Sequence, residues 1–332
     1  MIAYNFNDKS NVEQVLIKEK LKDLNLKNIN DVTISNNFEL LDILKECFNY
    51  ETDILVFENE KVVVGYIAYA KINGKIISLP HFSYAGHLID YDYSNQINLL
   101  LKSYFYNNHQ KFLIRSKLEF SKYIYSEKVT YFLRLEKSSD DQLKKFKSKL
   151  RSQISKALKN QITISEGRAE YCDVFFKLYS KNNHRLGSTI LPRKFFDLLL
   201  QNYTDSRVFV AFLDGEAIAT GFVLSYLGFS EVCWASSNRQ FKHYAPNMLL
   251  YWKMIEHSIE KKQHIFSFGR SSKDSSTAKF KEQWGADKVL LEWSGDEAFS
   301  NYSSFSFFSF LWKLLPYKLV LFISRFVSKF FY

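Results

Sequence analysis

One pattern constrains this chain more than any other, because it occurs twice. Residues 54–80, ILVFENEKVVVGYIAYAKINGKIISLP, read as three short strands parted by Glu58 to Lys61 and by Asn73-Gly74. Residues 207–236, RVFVAFLDGEAIATGFVLSYLGFSEVCWAS, read the same way, with a hairpin signal at Asp214-Gly215 and a turn around Gly228. Each meander runs into a helical pattern, QINLLLKSYFYNNH (96–109) or PNMLLYWKMIEHSIEK (246–261), and then into a lone strand, KFLIRS (111–116) or HIFSF (264–268). A meander-helix-strand unit present in two copies predicts an α/β (α+β) fold of two tandem domains, each a mixed, mostly antiparallel sheet flanked by helices. The expected boundaries are 1–138 and 161–298 for the domains, 139–160 for a connecting basic helix, and 304–332 for a tail.

The length agrees, since 332 residues exceed what one core usually holds. A formal charge of +10, from 45 basic and 35 acidic residues, suits an anionic substrate, an RNA or an anionic membrane surface without choosing among them. Cys47, Cys172 and Cys233 lie far apart, in neither a zinc nor a disulfide spacing, and read as reduced core residues of a cytosolic protein. The start, MIAYNFNDKSNVEQ, lacks a signal-peptide pattern. The seven histidines are scattered, so no metal site is expected, and the phosphate-loop, nucleophile-elbow and zincin motifs are absent.

The tail differs from the rest. In SSFSFFSFLWKLLPYKLVLFISRFVSKFFY, Lys313, Lys318, Arg325 and Lys329 interrupt every apolar run before the ~20 residues a bilayer span requires. On a helix starting near Pro316, Lys318, Arg325 and Lys329 fall at i, i+7 and i+11 beside Ser324 and Ser328. This amphipathic helix either lies on an anionic membrane surface, placing the protein at the inner face of the membrane, or docks on the protein's own core.

Two segments present groups suited to an anion. In SSNRQFKHYAPNMLLYW (236–252), Pro246 fits the first turn of a helix whose free N–H groups face Arg239, Lys242, His243, Tyr244 and Asn247. In FSFGRSSKDSSTAKFKEQWGA (266–286), Gly269 permits close backbone approach and Arg270 offers a two-pronged contact, with Ser271 beside it. Spacing puts Phe280 and Trp284 on one helix face and turns Lys281 elsewhere, toward solvent if the stretch is only a polar turn.

Five ordered segments, SLPHFSYAGHL (78–88), KSKLRSQISKALK (147–159), HRLGSTILPRKFF (184–196), NMLLYWKMIE (247–256) and FGRSSKDSSTAKFKEQWGA (268–286), resemble the successive motifs of FemAB-like proteins. The resemblance is greatest to the branch found with exopolysaccharide and exosortase systems. It implies two tandem GNAT-like domains that transfer an acyl or aminoacyl group to an amine, from acyl-CoA in some members and from aminoacyl-tRNA in the peptidoglycan-bridge members. It implies a donor and acceptor site bordered by Phe280, Lys281, Trp284 and Gly285, with Arg151 in the L-R-x-Q-I segment and Arg185 in the R-x-L-G segment. Tyr84 falls in the first motif. The chain departs from the family pattern at Ser267, where an Asp is common, and at Ser275 and Ser276, where loop glycines are common.

The expected reaction is an N-acyl transfer without a bound cofactor, with acyl-CoA favoured over aminoacyl-tRNA as co-substrate. The expected acceptor is the amine of a sugar or peptide precursor of the cell envelope, including a lipid-linked one. Lys281 or backbone N–H groups stabilise the oxyanion, and His184, Glu231 and Asp90 are the candidate bases. A different class of reading is a non-catalytic, membrane-associated module that binds a glycan precursor.

Overall fold

The computed structural model describes residues 1–297 and 309–331. The chain forms two compact units. The first is Met1–Lys128 together with the residues from Leu290 to Glu297, and the second is Val129–Val289 together with 309–331.

In the first unit the meander is β2 (Glu51–Asn59), β3 (Val62–Ile72) and β4 (Lys75–Ser78), preceded by β1 (Ile2–Asn5) on the β2 edge. Its turns are of the kind the right-handed strand twist favours. Asn73 and Gly74 both have positive φ (51° and 75°), as do Glu60 and Lys61 (49° and 68°). The strand β5 (Gly86–Ile89) also pairs with β3, and β6 (Phe112–Ile114) lies parallel to β4. Helices α1 (Asn11–Lys27), α2 (Glu39–Phe48) and α3 (Ser94–Asn107) accompany this sheet. The core on the α3 side gathers Ile97, Leu101 and Phe105 against Leu55, Ile67, Ile76 and Phe112.

The second unit begins within β7 (Tyr123–Arg134) and continues through β8 (Thr163–Gly167) to the meander β9 (Ser206–Leu213), β10 (Glu216–Tyr226) and β11 (Phe229–Ser237). The strand order is β7-β12-β11-β10-β9-β8, with β12 (Ile265–Ser267) parallel to β11 and every other pair antiparallel. A two-residue strand β13 (Ser271–Ser272) also pairs with β7. Asp214 and Gly215 form the expected hairpin turn with φ of 49° and 78°. The strand β14 (Asp287–Gly295) starts in this unit and ends in the other, where Ser294 and Gly295 pair with Ile114 and Leu113 of β6.

The expected connecting helix over 139–160 is two helices, α4 (Ser139–Lys145) and α5 (Ser148–Lys159), both in the second unit. The break has a packing cause. Phe146 leaves helical geometry (ψ 144°) and inserts its ring edge-on between Trp252 and Trp284, at 5.7 and 5.5 Å. Leu150, Ile154 and Ala157 of α5 then bury against α8 (Pro246–Glu260), leaving the lysines outside. Helices α6 (Cys172–Leu186), α7 (Arg193–Asn202) and α9 (Ser276–Glu282) complete the layer, and α10 (Tyr317–Val327) forms the tail.

The tail helix packs on α6. Tyr317 and Ser180 share a hydroxyl hydrogen bond of 2.7 Å, His184 Nε2 lies 2.9 Å from the Leu315 carbonyl, and Ile190 N donates to Ser324 Oγ at 3.4 Å. No helix among the described residues is long and apolar enough to cross a membrane.

Candidate active site

The parallel pair β11–β12 is short. Its register runs Phe229↔Ile265, Ser230↔Phe266 and Glu231↔Ser267 and stops there, while β11 continues to Ser237. Just past the end of pairing, the β10–β11 register slips at Phe222/Val223, leaving Cys233 as the extra residue of a bulge. The strands therefore part at Glu231, and the chain leaving β12 enters the stretch Phe268-Gly269-Arg270.

Gly269 is needed there for two reasons. Its φ is +69°, and a Cβ on it would sit 2.6 Å from the Val232 carbonyl oxygen on the neighbouring strand. Gly269→Ala should destabilise the protein by about 1–3 kcal/mol, read as a lowered midpoint of urea unfolding. The turn is pinned from several sides. Gly269 N donates to Ser267 Oγ (3.1 Å), Thr130 Oγ1 donates to the Gly269 carbonyl (3.2 Å), and Lys281 Nζ donates to the carbonyls of Gly269 (2.8 Å) and Arg270 (3.2 Å).

Lys281 is the most informative residue. It is only 3% exposed, so the expectation of a solvent-facing lysine fails. The inner face of α9 is Ala278 and Lys281, continued by Trp284 just beyond the helix, while Phe280 is half-buried against Tyr251. Ser275 caps the helix by accepting from Ala278 N at 3.1 Å, which fixes this register. Trp284 is 1% exposed and meets Phe146, Phe268 and Tyr251, so the aromatic cluster holds the end of α9 rigidly.

Burial pulls the Lys281 amine down to about 7, opposed by the nearby Glu231 carboxylate and reinforced by Arg270. Glu231 itself is 1% exposed. Burial also lowers the Arg270 guanidinium, and Glu231 is the charge that works against that loss. A buried carboxylate, a buried amine near neutrality and a guanidinium are thus electrostatically linked where two parallel strands separate. Such a group can take a proton and steady a developing negative charge, two needs of amine acylation. Ser271, next in sequence, is buried, and its hydroxyl finds no partner among the described residues.

The other expected site residues are distributed. Arg151 braces the break between α4 and α5, donating through Nη1 to the carbonyls of Lys144 (3.0 Å) and Phe146 (2.9 Å). His184 holds the tail through the Leu315 carbonyl. Asp90 and Tyr84 belong to the first unit, where the Asp90 carboxylate accepts from Asp92 N at 3.1 Å and Tyr84 is buried. Pro246 opens α8 as expected, and no side chain caps that helix, whose preceding residue Ala245 is left-handed (φ 59°). Asn247 Nδ2 donates to Ser237 Oγ at 3.3 Å, and the Tyr244 ring lies tilted against His243, with centroids 3.9 Å apart. Arg185 and Arg239 line a separate cavity of about 510 Å³ in the same unit, together with Lys177 and Lys181, which had not been singled out. Their spacing, Lys177, Lys181 and Arg185 at i, i+4 and i+8, is visible in KLYSKNNHR and marks one face of a helix. Among the described residues, no group of His, Cys, Asp and Glu is arranged to hold a metal ion.

Residues 144–282 match the family described as acetyltransferase (GNAT) domain. The fold is similar to that of FemX, at 15% identity and a TM-score of 0.60, covering 77% of this chain and 90% of that one. It is also similar to the C-terminal domain of a protein described as a lysylphosphatidylglycerol synthetase from Agrobacterium fabrum, at 11% identity, a TM-score of 0.54, and coverage of 87% and 93%. A GNAT-family acetyltransferase from Colwellia psychrerythraea aligns at 10% identity with a TM-score of 0.54, covering 90% of this chain and 100% of its own. At these identities the likeness speaks for the fold. Among curated proteins, none matches the sequence.

Proposed function

We infer that this chain, whose residues 144–282 match a GNAT acetyltransferase domain and whose fold is similar to that of FemX, transfers an acyl group from acyl-CoA to an amine of a cell-envelope precursor. The observation that carries this reading is the buried Glu231–Arg270–Lys281 group where β11 and β12 part. Thioester donors are already activated, so positioning and charge stabilisation supply most of the rate.

The acceptor amine attacks the thioester carbonyl. A C–N bond forms as the C–S bond breaks, Glu231 takes the proton released by the amine, and that proton leaves with the thiol. Lys281 has a defined part in this scheme. Two of its N–H groups are spent on the Gly269 and Arg270 carbonyls, and the third proton of the ammonium is left for the oxyanion. Arg270 balances the charge on Glu231 between turnovers. His184, occupied by the tail, and Asp90, engaged as a turn cap, have no step here.

The uncapped N-terminus of α8, with Arg239, Lys242, Tyr244 and Asn247 around it, supports the donor's pyrophosphate. The envelope acceptor is supported by the likeness to FemX and to a protein named for a lipid product, and extends to lipid-linked precursors.

Thermal denaturation with acyl-CoA tests the donor. At ~100 times its dissociation constant the ligand should stabilise the protein by about 2.7 kcal/mol. No shift with any acyl-CoA, together with product formed from aminoacyl-tRNA, would transfer the donor role to the tRNA.

A further inference from the structure

The tail helix is amphipathic in the reverse of the usual sense. On α10 the face turned to the protein carries Tyr317, Val320 and Ser324, continued by Ser328, of which the last three are buried. At 100° per residue the opposite face carries Leu319, Phe322 and Phe326, continued by Phe330, and these are 42–60% exposed. Phe310, Leu311 and Leu314, on the helical turns just before α10, are exposed as well. Lys318, Arg325 and Lys329 run between the two faces. A helix that spends its serines on the protein and turns its phenylalanines outward leaves a contiguous apolar surface of the sort that marks an interaction site.

The charge around this surface selects the occupant. No acidic residue follows Glu297 in the sequence, so two copies of the face would repel each other. The neighbouring cavity adds to the same field. On α6 the residues that hold the tail, Ser180 and His184, lie about a quarter turn from Lys177, Lys181 and Arg185, which line the cavity of about 510 Å³ with Arg239. Glu216 is its one acidic lining residue. An apolar ridge flanked by cations and set beside a basic hollow is complementary to a bilayer whose surface carries phosphates.

We propose that the second unit seats on an anionic membrane through the outward face of α10, and that the basic cavity beside α6 receives the phosphate of a lipid head group. This rests on the tail and on the α6 side of the cavity and not on the Glu231–Arg270–Lys281 group; Arg239, which also lines the cavity, is the one residue shared with the proposed donor site. The phenylalanines enter the acyl boundary while Lys318, Arg325 and Lys329 remain at the phosphates.

The test is flotation of the full chain with vesicles of phosphatidylcholine alone or mixed with phosphatidylglycerol. The protein should bind the mixed vesicles, bind pure phosphatidylcholine at least about tenfold more weakly, and lose affinity as salt rises. Phe322→Ser with Phe326→Ser should weaken binding by about a hundredfold, roughly tenfold for each buried ring. Lys177→Glu with Lys181→Glu should weaken it about tenfold or more on the mixed vesicles only. All four side chains are exposed, so an unchanged melting temperature confirms that each variant is folded. Wild-type binding by the phenylalanine variant, or equal binding to both vesicles, would overturn the membrane seat. Wild-type binding by the lysine variant would overturn the head-group site. A dimer that dissociates on Phe322→Ser with Phe326→Ser, in a protein that ignores vesicles, would show the face to be an interface between copies.

Discussion

Lys281→Met should reduce kcat for acyl transfer by about 10²–10³-fold, the usual effect of removing a single donor to an oxyanion, while leaving the KM for the donor within a few fold. Methionine keeps the length and burial of the side chain, so the loss reports the missing charge and not a cavity. Lys281→Arg is the companion, since its charge remains but its planar fork cannot match the short contacts to Gly269 and Arg270. Wild-type turnover in Lys281→Met would remove the lysine from the chemistry and leave it as a brace for the Gly269 turn. Steady-state kinetics with circular dichroism on the same samples separates lost chemistry from lost fold.

The second large effect is on pH dependence, and it follows from the depressed Lys281 amine at about 7 against an ordinary 10.5. Below 7 the residue is protonated in both the folded and the unfolded chain, so folding carries the full cost of a buried ammonium. Between 7 and 10.5 the unfolded chain holds the proton and the folded chain does not, so this group makes stability rise with pH. From pH 7 to 9 the gain approaches about 2–3 kcal/mol, or several degrees in Tm for a unit of this size. Wild type should gain this relative to Lys281→Met over that interval, as followed by thermal melts. Activity should run the other way. The oxyanion needs the ammonium, so kcat should fall above about 7, on a limb absent from Lys281→Met. A wild type and a methionine variant with parallel Tm profiles would contradict the shifted amine.

The repeated architecture was readable because local rules and tertiary packing agree there. Alternating apolar residues, Asn73-Gly74, Asp214-Gly215 and the Pro246 start each have a short-range cause, and each is found where expected. The break at Phe146 was not readable, since only the distant rings of Trp252 and Trp284 make an extended residue preferable to another helical turn. The same limit applied at Lys281. Spacing chose Phe280 and Trp284 as the inner face of α9; Trp284 is buried as expected and Phe280 half-buried, but with Ser275 as the cap Ala278 and Lys281 point inward as well. That a lysine occupies the inside is a departure from the apolar pattern, made tolerable by two carbonyls and the charge of Glu231. The tail was half legible. Its basic stripe was visible, but the serines read as part of the wet face are the docking face, because α6 offers hydroxyl and backbone partners to meet them.

The route of β14 sets an order of events during synthesis. The first unit contains the residues from Leu290 to Glu297, and these are anchored there. Leu118 N donates to Ser294 Oγ, Phe112 N donates to Asp296 Oδ1, and Arg115 lies 5.0 Å over the Trp293 ring. A ribosome that has finished residue 128 must add all of the second unit's main span before that strand emerges, about 8–30 s at ordinary elongation rates. Throughout that delay the edge of β6 has no β14 to pair with and Trp293 does not yet exist to cover Arg115. The first unit is therefore begun first but completed only after the main span of the second has been made. A fragment ending near residue 138 is then an arrested nascent chain with an open strand edge, and its expected fate is aggregation rather than independent folding.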